Sequence, residues 1–314
     1  MKRWIVAVVL LAALVAYLSV SYVVADRLTL AERHPIGRQP QVATCCYEDV
    51  SLRTSDGLNL KGWFFPVRGD RAAILIHGRH ANRAEYQGRL EHIADFLIAE
   101  GYSVLLFDLR GHGDSDGKRF SLGQYERLDV ASAIDFVAGR GFAEKRIALL
   151  GISLGAGTAI QELLLHPNVG ALVSDSSYSD AFTEVQEVLP QEGGVPGWFT
   201  PGVFLMTRIA FGLDGDQVRP IEVVRAHPER AILFIHCDTD GLIRVHQAED
   251  LRAASANSAS ALWIAHGCEH AAASDMYPAE YRMRVVAFLE TQIPSVLART
   301  RAAIRSRASI ATRT

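Results

Sequence analysis

The sequence predicts an α/β protein, a mostly parallel β-sheet with helices on both faces, and three observations predict it. From Ala72 onward, short continuous apolar runs alternate with longer amphipathic segments. The runs are apolar throughout instead of alternating with polar residues, which is the pattern of strands buried on both faces. Residues that carry chemistry follow directly on five runs, at His77, Asp108, Ser153, His236 and His266. Sites in parallel sheets gather at such C-terminal strand ends. With 314 residues, 49% apolar and 21% charged, the chain is long enough to bury a sizeable core. A formal net charge of −3 provides no basic field to recruit nucleic acid, and that class of partner is set aside.

In chain order, Trp4 to Ala25 contains no charged residue. About 22 residues at about 1.5 Å each span about 33 Å, enough to cross a bilayer core. A cleaved secretory signal ending at Val23-Val24-Ala25 is the competing reading, but the apolar run exceeds the usual signal core of about 7–15 residues. An uncleaved anchor is therefore expected, with the amino terminus inside and the rest of the chain outside. Ala31 to Thr44, with Pro35, Gly37 and Pro40, reads as a polar linker. Two strands follow, Asp49 to Thr54 and Leu58 to Pro66, joined at Ser55-Asp56-Gly57, an Asp-Gly hairpin signal.

Strands are then expected at Ala72–Ile76, Ser103–Phe107, Arg146–Ile152, Ala171–Ser174, Ala231–Ile235 and Ala261–Ile264. Helices are expected at Ala84–Ala99, Ser121–Ala138, Leu154–Leu165, Val245–Ala254 and Pro278–Glu290. Ser121 and Gln124 have capping-box spacing, and His166-Pro167 stops the third of these helices. From Tyr178 to about Arg219 lies an excess of about forty residues, too long for a structureless insertion inside a domain. Its apolar residues, among them Trp198, Phe199, Phe204 and Phe211, predict a cap with a small core of its own or a wall of an acyl pocket. The chain ends in Arg299, Arg301, Arg305, Arg307 and Arg313, a solvated tail or one laid on anionic lipid. The division expected is 1–27 anchor, 28–46 linker, 47–177 and 220–292 core, 178–219 cap and 293–314 tail.

Gly151-Ile152-Ser153-Leu154-Gly155 lies where the Arg146 strand turns into a helix. A G-x-S-x-G turn strains the serine backbone, and side chains two positions away on either side would collide. The hydroxyl is then held above the sheet, beside the Leu154 N–H at a helix N-terminus. Alone, the motif is equally compatible with a packed strand–helix turn. Four other strand-end motifs accompany it: His77-Gly78-Arg79, Asp108 to Ser115, His236-Cys237-Asp238-Thr239-Asp240 and His266-Gly267-Cys268-Glu269-His270.

This ordered set resembles the α/β-hydrolase superfamily, near its serine aminopeptidase-like branch, from about Asp49 to Glu290. The resemblance implies an eight-stranded, mostly parallel sheet with a helical cap insertion, and a serine hydrolase that needs no cofactor and no metal. Carried across, the family order places the nucleophile at Ser153, the acid at Asp240 with Asp238 as the alternative, and the base at His270 in preference to His266. The oxyanion donors fall on the backbone N–H groups of Arg79 and Leu154. The other histidines have bland roles, His77 and His112 in turns and His166 at a helix end. The activity implied is cleavage of an ester or thioester of a lipophilic acyl group; a serine peptidase and a non-catalytic scaffold are the alternatives. Cys237 and Cys268 fall within a few residues of the expected acid and base, where they either pair in an oxidising compartment or remain thiols.

Overall fold

The computed structural model describes residues 1–43 and 46–295. The arginine-rich tail from Arg299 lies outside those residues. Eight strands form one sheet among the described residues: β1 (Glu48–Arg53), β2 (Asn59–Phe65), β3 (Arg71–Ile76), β4 (Tyr102–Phe107), β5 (Ile147–Ile152), β6 (Ala171–Asp175), β7 (Ile232–Cys237) and β8 (Ala261–Ala265). Their order is β1-β2-β4-β3-β5-β6-β7-β8, antiparallel at the β1–β2 and β2–β4 pairings and parallel at the rest. The helices are α1 (Lys2–Thr29), α2 (Arg89–Ala99), α3 (Glu126–Gly139), α4 (Leu154–Glu162), α5 (Ala181–Val188), α6 (Thr200–Phe211), α7 (Pro220–Ala226), α8 (Val245–Ala254), α9 (Ala273–Met276) and α10 (Pro278–Gln292).

The apolar runs sit where their composition sends them. Every residue of β3, β4, β5 and β7 is buried, because successive side chains point to opposite faces and both faces are covered. One core joins alternate residues such as Leu75, Leu106 and Leu150 to α2 and α10; the other joins Ile74, Leu105 and Leu149 to α3 and α4. β5, in the middle of the sheet, delivers Ser153 to the C-terminal edge.

Two helix starts differ from expectation. α2 begins at Arg89, not Ala84, because Glu85, Gln87 and Gly88 all have positive φ and break the helix upstream. α3 begins at Glu126, not Ser121, because Leu122 (φ 52°) and Gly123 (φ 101°) turn the chain the other way. Ser121 and Gln124 therefore form no capping box. Instead the Glu126 carboxylate accepts the Ser121 and Gly123 N–H groups at 2.9 and 2.7 Å, and the Gln124 side chain accepts the Asp214 N–H. The regular geometry of α4 ends at Glu162, three residues early, and residues 163–165 continue as turns.

The chain after α1 is bound to the domain surface and does not swing as a free tether. Arg38 forms two hydrogen bonds to Glu91, which also accepts the Gln41 N–H; the Ala43 N–H reaches Asp95, and Arg33 reaches the Gly113 and Gly117 carbonyls.

α1 is long and apolar enough to cross a membrane, and its residues from Lys2 to Ala16 are all exposed. Its C-terminal half is packed against the insertion. Val24 and Ala25 are buried with Leu189 and Val203, and Leu28, Phe199, Met206 and Phe211 pack around them. The insertion thus has no core of its own there; α1 completes it. Gly202 of α6 lies so near α1 that a Cβ would come within 2.3 Å of the Ser21 hydroxyl. Tyr17 stacks on Trp198 and Phe199 and accepts the Gly202 N–H at 3.0 Å. Arg119 fixes the last turn of α1 through Asp26 and Thr29.

Candidate active site

Ser153 joins β5 to α4 with φ 53° and ψ −116°, a left-handed strain that a surrounding structure must impose. Its N–H donates to the Asp175 carbonyl at 2.8 Å. The two glycines are required by contact. A Cβ at Gly151 would meet the Gly155 carbonyl oxygen at 2.2 Å, and one at Gly155 would meet the Ile76 carbonyl oxygen of β3 at 2.3 Å. Gly157, which the sequence reading passed over, is equally constrained: a Cβ there would lie 2.4 Å from the Tyr178 hydroxyl, which donates to the Leu122 carbonyl. A third glycine at the same two-residue spacing was the available signal.

The structure brings Ser153, His270 and Asp240 into one chain of hydrogen bonds. His270 Nε2 is 2.9 Å from Ser153 Oγ, and its Nδ1 is 2.7 Å from Asp240 Oδ2. With the proton of the ring on Nδ1, facing the carboxylate, Nε2 is free to accept from the hydroxyl. Asp240 Oδ1 takes the Leu242 and Ile243 N–H groups at 2.9 and 2.8 Å. Burial works against its charge, but hydrogen bonds from His236 and His270 prevail and hold the carboxyl well below the usual carboxylate range.

His236, the strand-end histidine four residues before the acid, joins this cluster as a neighbour of Asp240. It is fully buried at the end of β7, with Nε2 2.8 Å from the Ile243 carbonyl and 3.3 Å from Asp240 Oδ2.

The alternative acid and the alternative base are paired with each other. Asp238 accepts the Gly267 N–H at 2.7 Å and lies 2.9 Å from His266 Nδ1, and that histidine is 82% exposed, too far toward solvent to serve Ser153. Of the two readings for the cysteines, the structure holds the disulfide: Cys237 and Cys268, both buried, are bonded across a separation of 31 residues and tie the β7 loop to the β8 loop.

Arg79 and Leu154 both line the cavity that contains Ser153. Leu154 is the first residue of α4, where an N–H lacks an intrahelical acceptor. Gly78 presses against Ser153, its would-be Cβ 3.4 Å from the serine Cβ, and its N–H donates to Glu85 at 2.7 Å. The Arg79 side chain is ion-paired with Glu192 of the insertion. Of the remaining histidines, His77 accepts the Leu109 N–H at 2.9 Å and, fully buried, is held down to about 3; His112 is bonded to the Arg110 carbonyl, and His166 to Glu162 at the end of α4. Among the described residues, no group of three His, Cys, Asp or Glu side chains is arranged to hold a metal ion.

The cavity walls are otherwise apolar: Leu28 from α1, Phe120 and Leu122 from the core, Val185 and Val188 from α5, and Ile243. Glu184 is the exception. It accepts from Gln247 Nε2 at 3.0 Å, and burial, assisted by the charge of Glu187, pushes it up to about 8. The folded protein therefore keeps a proton that an unfolded chain, near the ordinary 4.5, has lost. Stability should fall as pH rises from about 4.5 to about 8 and level off above it. Glu184→Gln should remove that slope from thermal midpoints measured between pH 5 and 9; an unchanged slope would assign it to other groups.

Residues 69–205 match the model of a family described as serine aminopeptidase, S33. An uncharacterized protein of Bacillus subtilis, YqkD, is 29% identical over 238 residues, covering 74% of this chain and 76% of its own. The uncharacterized YfhR of Salmonella typhi is 25% identical over 264 residues, covering 78% and 82%. Among solved structures, the Pyrococcus furiosus esterase Pf2001 superposes with a TM-score of 0.70 at 24% identity, over 84% of this chain and 99% of that one. At that identity the likeness speaks for the fold.

Proposed function

We propose that this chain, whose fold is that of the α/β-hydrolases, is a membrane-anchored serine hydrolase that cleaves carboxylic esters or thioesters of lipophilic acyl groups through an acyl-enzyme. The observation that carries the reading is the chain Ser153–His270–Asp240 at 2.9 and 2.7 Å, opening into an apolar cavity. His270 takes the Ser153 proton as Oγ attacks the acyl carbon. Asp240 holds the ring in its tautomer and stabilises the imidazolium that forms. The Leu154 and Arg79 N–H groups receive the oxyanion. On collapse, the alkoxide or thiolate leaves with the proton from His270, and a water activated by the same ring releases the acid.

An aminopeptidase would need a free carboxylate for the substrate ammonium. The three glutamates that the insertion offers are each engaged: Glu192 with Arg79, Glu187 with His246 at 2.8 Å, and Glu184 with Gln247. That favours an ester over a peptide. The scaffold alternative leaves the strained serine and its hydrogen-bonded partners without a purpose. Fluorophosphonate labelling of the full chain tests the proposal. Label on the wild type that is lost in Ser153→Ala is expected, and an unlabelled folded wild type would sink it.

We place α1 across the membrane and the domain on its oxidising side, supported by the buried Cys237–Cys268 bond. Unreduced digests should yield the two cysteines as one linked peptide, and Cys237→Ser should cost about 2–4 kcal/mol of stability. Free alkylation of both thiols in chain isolated from membranes would reverse the orientation.

A further inference from the structure

Behind the cavity at Ser153 lies a second apolar chamber, between α1 and α6. The two share Leu28, Phe120, Leu122 and Val185 as walls, and the second continues past Thr29 to Val203 and Thr207. Its polar groups face away from the space they line: Thr29 Oγ1 donates to the Ala25 carbonyl, Thr207 Oγ1 to the Phe204 carbonyl, and Ser121 Oγ to Glu126. What remains is a dry surface that suits a hydrocarbon chain. α6 forms one of its walls. Val203 and Thr207 face the chamber, while Leu205 and Ile209, on the opposite side of the same helix, are exposed, as is Trp198 just before it. These exposed apolar side chains stand beside the exposed apolar length of α1, and the Tyr17–Trp198–Phe199 stack has the composition of a membrane-interface belt.

We propose that the last turn of α1 is part of the acyl-binding wall, and that the substrate is a long-chain carboxylic ester resident in the bilayer, whose acyl chain runs from Ser153 past Leu28 into this chamber. The inference rests on the serine-hydrolase reading above. The anchor then has two duties in one helix, holding the domain at the membrane and setting the acyl length that the site accepts. Passing the chain from lipid to chamber beside α6 spares it a passage through water, in which each exposed methylene would slow the transfer about fourfold.

The test uses the full chain in vesicles of ether-linked phosphatidylcholine, which contain no ester to compete, with p-nitrophenyl esters of four to sixteen carbons. Wild type should prefer the long esters. Leu28→Phe narrows the passage and should lower the ratio of long-ester to short-ester kcat/KM by about tenfold or more, whereas Leu28→Ala should shift the optimum to longer chains. Opposite shifts support the proposal; a chain-length profile unchanged in folded Leu28→Ala overturns it. A wild type that prefers the four-carbon ester overturns it as well. If Leu28→Phe does not fold, all chain lengths fall together and Leu28→Ala alone decides. Fluorophosphonate labelling of the wild type separates the two claims: without label the hydrolase reading fails, and with label but no shift only the chamber does.

Discussion

Asp240→Asn should lower kcat on p-nitrophenyl esters by about 10⁴-fold, while Asp238→Asn stays within about twofold of wild type. The asymmetry comes from what each carboxylate touches. Asp240 is buried and takes His270 Nδ1 at 2.7 Å, so an amide there can turn its NH₂ toward the ring and leave the proton on Nε2, where it blocks acceptance from Ser153. Asp238 serves only His266 and the Gly267 N–H at the surface. Steady-state kinetics on the two variants decide between them, and equal losses would mean that the acid has been misassigned. Fluorophosphonate labelling of Asp240→Asn should slow in parallel, since it reads the same activated hydroxyl.

Gly155→Ala should cost about 3 kcal/mol of stability and lower activity with it. The added methyl has no flexible neighbour to displace. It would sit 2.3 Å from the Ile76 carbonyl oxygen and 2.7 Å from that of His77, both backbone atoms of β3 and its loop. Overpacking against backbone is at the expensive end of such substitutions. Any relief must move the His77-Gly78-Arg79 loop away from Ser153, and so the expected oxyanion donor with it. Denaturant midpoints in detergent give the first effect and ester turnover the second. A fully stable variant with normal turnover would show that α4 can slide without disturbing the loop.

Much of this architecture was legible because local pattern and tertiary demand agree. The apolar runs could satisfy their backbones and bury both faces only as central strands, and the glycines at 151 and 155 marked a turn that tolerates no side chain. Asp240 and His270 could be ordered but not positioned: four other polar residues sit in the same two loops, and only the fold shows Asp238 and His266 turned to each other. The helix starts at Ala84 and Ser121 were misread because three of the interrupting residues, Glu85, Gln87 and Leu122, are non-glycines at positive φ and carry no compositional mark; Gly88 and Gly123 beside them were the marks available. His236 stood out as a strand-end histidine four residues before the acid, but spacing did not show it packed against Asp240. The union of α1 with the insertion had none, since Val24 and Ala25 read as ordinary membrane-helix residues, and Leu28 as the start of a linker, until α6 is laid beside them.

That union bears on how the protein is handled at the bench and in the cell. A chain shortened to begin after Ala25 would leave Leu189, Val203, Phe199 and Met206 facing solvent as one apolar patch. Such a product would be sticky and prone to self-association. A signal peptidase faces the matching obstacle, because the bond after Ala25 lies inside a packed helix and is out of reach once the insertion has folded over it.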